Sequence, residues 1–187
     1  ADSLQFDTTN YVVSGNTLTL AGSATITANA TKATITSIID GSSGLTKEGT
    51  SALYLTGGNT YTGATNINSG TLWLGNGGTG GSLNTASAIN IASGATFRTA
   101  QSDDITQGTD FSGAAITGDG GITHNNNGGT LILNAANTYT GGTFLFRSKA
   151  RVEHNDALGT GLVTLFNTGA RLELVDGITL DNDITFA

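Results

Sequence analysis

The sequence predicts an all-β chain wound as a parallel β-helix of about eight coils, and three observations predict it. The first is an internal copy. Leu131 to Thr143, LILNAANTYTGGT, nearly repeats Leu53 to Thr65, LYLTGGNTYTGAT, 78 positions earlier, with Asn-Thr-Tyr-Thr-Gly at Asn59–Gly63 and again at Asn137–Gly141. Self-similarity at long spacing is the mark of stacked, quasi-one-dimensional folds. The second is strand length. Runs of three to five residues in which Leu, Ile or Val alternate with Thr are set between Gly and Asn turns, so one face is apolar and the other hydroxyl-coated. The third is the lack of Asn-Gly pairs at regular two-residue loops, which disfavours a hairpin-built sandwich.

Composition narrows the class. Glycine numbers 28 of 187 residues, threonine is more frequent still, and only 11% of residues are charged. A disordered chain is rich in charge and poor in β-branched residues, so this is a folding sequence. The net charge is −7 with seven Lys and Arg in all. Too few cations remain to cover a nucleic-acid backbone, and nucleic acid is excluded as a partner. No apolar run is long enough to cross a bilayer as a helix. The chain opens Ala1-Asp2-Ser3 without a signal-peptide pattern, the start expected of a mature or excised piece.

Taken in order, residues 1–40 supply Leu4 and Phe6, Tyr11–Val13, Thr17–Leu20, Ala24–Ala28 and Ala33–Ile39, before Asp40-Gly41 turns the chain. The first repeat unit, near 44–75, follows with Leu53–Leu55, the Asn-Thr-Tyr-Thr-Gly turn, Thr65–Ile67 and Thr71–Leu74. A glycine-rich connector, Gly75–Gly81, leads to Ile89–Ile91 and Ala95–Phe97. Ala100–Asp110 reads as a loop. The second unit, near 121–152, carries the copy, and Leu162–Phe166, Ala170–Val175 and Ile178–Phe186 close the series. Coils of about 20 to 25 residues stacking at about 4.8 Å give a rod roughly 40 Å long. At equivalent turns, Asn59 and Asn137 are expected where Asn tolerates left-handed backbone and can bond neighbouring amides, with Tyr61 and Tyr139 packed beside them and Gly63 and Gly141 freeing the chain beyond. All six are read as structural.

At these residues the sequence resembles the autotransporter-associated β-strand repeat, also called the passenger-associated transport repeat. Leu-x-Leu, a small pair and Asn-Thr-Tyr-Thr-Gly carry the resemblance, together with Gly44–Lys47 and Asn155–Gly161, over most of residues 35–175. It departs at Ser51-Ala52, at His124–Asn127 and at Phe144–Lys149. The resemblance implies a right-handed β-helix, and it makes residues 1–187 one fragment of a larger passenger domain. It implies a type V secreted protein of a Gram-negative bacterium, carried to the cell surface by a C-terminal β-barrel and serving as stalk and secretion module for adhesion or aggregation. Self-association, or a glycan or protein of a host or neighbouring cell, is the implied partner. Zero Cys then makes sense, since a disulfide-locked loop would not thread a narrow pore.

Chemistry has few candidates. His124 and His154 are the only histidines and are placed in turns. Asp103, Asp104, Asp110, Asp119, Asp181 and Asp183 are scattered over turns, which leaves a carbohydrate-acting lyase or glycosidase as the alternative to a non-enzymatic stalk. No catalytic set, metal site or cofactor is assigned. One surface stands out, Phe144, Phe146, Arg147, Lys149 and Arg151, where Phe144 and Phe146 replace Asn66 and Asn68 of the first unit and three of the seven cations point out beside them. It is the candidate binding patch.

Overall fold

The computed structural model describes residues 2–125 and 128–187. Part of the departure at His124–Asn127 therefore lies outside the described residues. Among the described residues there are twenty strands, and all sixteen strand pairings are parallel. The first sheet holds β1 (Ser3–Phe6), β4 (Ala24–Ala28), β7 (Leu45–Glu48), β9 (Thr65–Ile67) and β11 (Ile89–Ile91). The long sheet holds nine strands: β2 (Tyr11–Val13), β5 (Lys32–Ile35), β8 (Ala52–Leu55), β10 (Thr71–Leu74), β12 (Thr96–Thr99), β14 (Gly121–Asn125), β16 (Thr143–Phe146), β18 (Val163–Phe166) and β20 (Ile184–Phe186). The third sheet holds β13 (Ile105–Thr106), β15 (Thr130–Leu133), β17 (Lys149–Val152) and β19 (Arg171–Leu174), and β3 (Leu18–Thr19) pairs with β6 (Ile39–Asp40).

Sequence neighbours never pair; each strand bonds to the strand one coil away. The chain is a parallel β-solenoid, with nine coils crossing the long sheet where about eight were expected. β13 lies inside the stretch read as a loop, its Ile105 fully buried.

Alternation along each strand turns into ladders down the rod. Ala33, Leu53, Leu72, Phe97 and Ile122 stack in register inside the long sheet. Beside them run Ile35, Leu55, Leu74, Thr99, His124, Leu145 and Leu165. Two polar residues thus interrupt an aliphatic column. Among the described residues, Thr99 Oγ1 and His124 Nδ1 lie 2.7 Å apart, and the other ring nitrogen reaches Gly129 O at 3.2 Å. His124 is therefore a buried strand residue, contrary to the turn expected for it, because its partners are polar groups on the adjacent coil and on its own corner. Burial pushes its pKa down from 6.5.

Lys47 is the other exception. It occupies the inward position between Ile26 and Ile67 on the first sheet and is fully buried. Its Nζ donates to Glu48 O at 2.8 Å, Gly49 O at 2.7 Å and Ser69 O at 3.0 Å. Three carbonyls match the three donors of an ammonium. Desolvation nevertheless pulls its pKa from 10.5 down to about 8.

Candidate interaction surface

The repeat motif is a clamp between coils. Asn59 Oδ1 accepts the Ile39 amide at 3.0 Å, while its Nδ2 donates to Gly57 O at 3.0 Å and Ser82 O at 2.9 Å. One side chain ties together the coil before, its own and the coil after. Asn137 does the same. Its Oδ1 accepts the Ile116 amide at 2.8 Å and its Nδ2 donates to Ala157 O at 2.7 Å, with Gln107 completing the set. Neither Asn is among the residues with left-handed backbone, which among the described non-glycines are Asn10, Arg147 and Asn167. The left-handed backbone is corrected, while the bonding to neighbouring amides is found: these asparagines point inward and satisfy backbone groups that the corner leaves unpaired.

Tyr61 and Tyr139 are fully buried. Each hydroxyl lies 2.6 Å from a threonine, Thr65 and Thr143 respectively. Gly63 and Gly141 have ordinary φ, so conformational freedom is not their role. A Cβ on Gly63 would strike the backbone of Ser43 and Gly44, and one on Gly141 that of Gly120. Both are glycines because the neighbouring coil passes too close for anything larger.

The two copies do not stack above one another. Leu53 and Leu55 belong to the long sheet, whereas Leu131 and Leu133 belong to the third. Thr65–Ile67 lies in the first sheet, whereas Thr143–Phe146 lies in the long one. The second copy is displaced three coils along the rod and turned by one face.

The patch proposed from sequence is divided by a corner. Phe144 and Phe146 lie on β16 of the long sheet; Lys149 and Arg151 lie on β17 of the third; Arg147 makes the corner with φ 51°. Phe146 stacks on Phe166 with centroids 4.3 Å apart and planes 1° apart, and Phe144 lies 6.4 Å from the same ring. Arg98 sits over Trp73 at 4.2 Å and reaches toward Phe146 at 5.6 Å. Trp73 in turn stacks on Tyr54 at 4.9 Å, and Lys32 covers the far side of Tyr54 at 4.5 Å. The outer row of the long sheet is thus an aromatic ladder whose ring faces are spent on one another and on two cations. Arg98 Nε is buried without a hydrogen-bond partner, and desolvation lowers its pKa. Sequence reading missed Arg98, Tyr54 and Phe166, because residues on different coils meet only once register is known.

On the third sheet the charges differ in their surroundings. Arg151 pairs with Glu153 at 3.0 Å and lies in register with Glu173. Lys149 lies in register with Arg171, and neither they nor Arg147 forms an ion pair among the described residues.

The acids offer less. Asp103, Asp104 and Asp110 line a polar hollow of about 310 Å³. Asp104 accepts the Thr130 amide at 2.7 Å, tying its corner to the next coil, and Asp110 accepts the Thr106 amide at 2.8 Å within its own turn. No group of three or more His, Cys, Asp or Glu suited to a metal occurs among the described residues. His154, on the surface, hydrogen-bonds the Asp156 amide at 3.1 Å.

Comparison with known proteins bears on what this surface belongs to. The sequence model of the passenger-associated-transport repeat matches residues 45–74 and 126–145. The adhesin BmaC autotransporter of Brucella suis biovar 1 (strain 1330) is 34% identical over 175 residues, covering 83% of this chain. The matched stretch is only 5% of that adhesin's length. No solved structure matches.

Proposed function

This chain belongs to the autotransporter passengers that carry the passenger-associated-transport repeat, and on that footing we propose that it is a rigid stalk and a transport-and-folding module of a type V secreted protein, serving adhesion or cell–cell aggregation at the bacterial surface. In the full-length protein a C-terminal β-barrel would carry it across the outer membrane. One observation carries this reading above the others: the same three-coil clamp is built twice, at Asn59 and at Asn137, on different faces of the rod. In a stack where each coil contacts only its neighbours, folding propagates coil by coil. A side chain that fastens the incoming coil to the two already in place favours ordered growth of an emerging chain. The relative named an adhesin supports the adhesive role.

A carbohydrate-cleaving enzyme is the less favoured reading. Two of the three carboxylates in the acidic hollow are committed to backbone amides, whereas a glycosidase needs an acid and a base free to face the scissile bond. We read the chain as non-enzymatic.

The test is surface display ahead of a β-barrel translocator in a non-clumping bacterium. Folded passenger is scored by protease resistance, and function by settling and by attachment to host cells. Changing Asn59 and Asn137 together to Ala should lower the amount of folded passenger at the surface, and an unchanged amount would remove the transport role. A folded wild-type chain that produces neither settling nor attachment would leave a passive stalk. Loss of attachment on changing Arg147, Lys149 and Arg151 to Ser would locate the adhesive face.

A further inference from the structure

The cations that sequence reading grouped together are not equivalent. Arg151 is neutralised by the Glu153 carboxylate at 3.0 Å, and Glu173 lies in register with it on the next coil. Lys149 has the opposite environment. Its neighbour in register on β19 is Arg171, and on the other side stands Thr130. Like charges on directly paired positions about 4.8 Å apart oppose strand pairing. A chain of net charge −7 has acids to spare for separating them, yet among the described residues none forms an ion pair with either.

Arg147 adds a third unpaired cation at the same corner. The Arg171 amide donates to Ser148 O at 2.9 Å, which docks the next coil directly against this turn. Arg147 has left-handed backbone at φ 51°. One coil on, the same corner uses Asn167 at φ 70°. Asn suits that conformation and Arg does not, so the turn does not explain the residue type. Arg147 is exposed and lines an open hollow with Asn167, Thr168 and Ala170, whose other walls are Leu165, Phe186 and Ala187.

We infer that Lys149 and Arg171, with Arg147 at the adjoining corner, form a site for a linear acidic glycan bearing carboxylate or sulfate groups. The inference rests on the adhesive reading above and names the partner class for it. Arginine forks recognise carboxylate and sulfate in paired hydrogen bonds, and lysine adds a point charge. The occupant must be thin. At physiological salt, charges more than about 8 Å apart are largely screened, so a single extended polyanion on this row feels three cations, Glu173 two residues beyond Arg171 as a nearby acid, and less of the acidic remainder. A membrane or a broad acidic protein surface would press against that remainder as well.

The test measures binding of the purified chain to heparin, hyaluronate, neutral dextran and phosphatidylserine vesicles. Expected is salt-sensitive binding to heparin, hyaluronate or both, with dextran and vesicles weaker. Lys149→Ser with Arg171→Ser should weaken it by at least about tenfold, since two charge-assisted contacts are lost. Arg147→Gly should also weaken it while relaxing the strained corner, so that loss of fold is not the cause. Arg151→Ser serves as the internal control and should change binding by less than about threefold, because its charge is already paired. The inference is overturned by no binding to either acidic glycan, by equal capture of dextran, by stronger capture of vesicles, or by an Arg151→Ser loss as large as the double variant's. Attachment of displayed cells that persists without glycan binding would sink this inference and leave the adhesive function standing.

Discussion

At Asn59 the side-chain amide has replaced the hydrogen bonds that a strand would have made. Truncating Asn59 or Asn137 to Ala orphans the Ile39 or the Ile116 amide inside the rod. Each change is expected to cost about 1–3 kcal/mol, read as a lowered Tm by circular dichroism. Gly63→Ala and Gly141→Ala should destabilise by a similar 1–3 kcal/mol or about that, because the added methyl meets backbone that cannot yield. Gly78→Ala, with open space around it and ordinary φ, should stay within about 0.5 kcal/mol. Two buried bases set the response to pH. Lys47 has a folded pKa depressed to about 8 from 10.5, so the unfolded chain binds the extra proton between those values. Stability should therefore rise as pH goes from about 8 toward 10.5, and a Lys47→Met variant should lose that slope in denaturant titrations. His124 has its pKa pushed below 6.5, so its contribution is present above that value and fades as the medium is acidified. His124→Gln should flatten the acid limb of the same curve; an unchanged limb would assign it to the carboxylates instead.

At the scale of the element, short parallel strands and their inward parity were legible because period-two alternation survives without knowledge of register. Leu53 and Leu55, Leu72 and Leu74, Leu145, Ala150 and Val152 all face inward as that alternation predicts. Corners were harder. Asn-x-Tyr-x-Gly reads locally as a turn, yet its residues act on other coils: Asn59 through Ile39 and Ser82, and Gly63 through the space beside Gly44. Lys47 and His124 were illegible for the opposite reason. A charged or polar residue at an apolar parity looks like a break in the pattern, and only the carbonyls of Glu48, Gly49 and Ser69, or the hydroxyl of Thr99, make burial tolerable. The candidate patch was legible in composition and not in layout. Its aromatics joined a ladder with Phe166 and Arg98, and its cations divided according to partners that sequence does not place. The ladder has its own test. Arg98→Ala removes the cation over Trp73, and a fall in stability of about 0.5–1 kcal/mol with a change in Trp73 fluorescence would show the contact persists in solution.

Over the whole molecule, cohesion is distributed along the axis, and no single centre holds it. Interior columns run through successive coils, with polar breaks at Thr99 and His124. A solenoid of this kind loses cooperativity where a joint is weak. Mild acid should therefore loosen the stretch around β12 and β14 before the rest, visible as faster amide exchange there than in β8 and β10. The displacement of the second motif has a larger consequence. Three coils plus one face per copy is the operation of a threefold screw. If a long passenger keeps that step, successive repeats point in three directions, and each fourth repeat returns above the first after about ten coils, roughly 50 Å up the axis. Whatever rides on the repeats is then spread around the circumference, so a cell or polymer approaching from any side meets a copy, and the fibre gains valency without gaining a new contact.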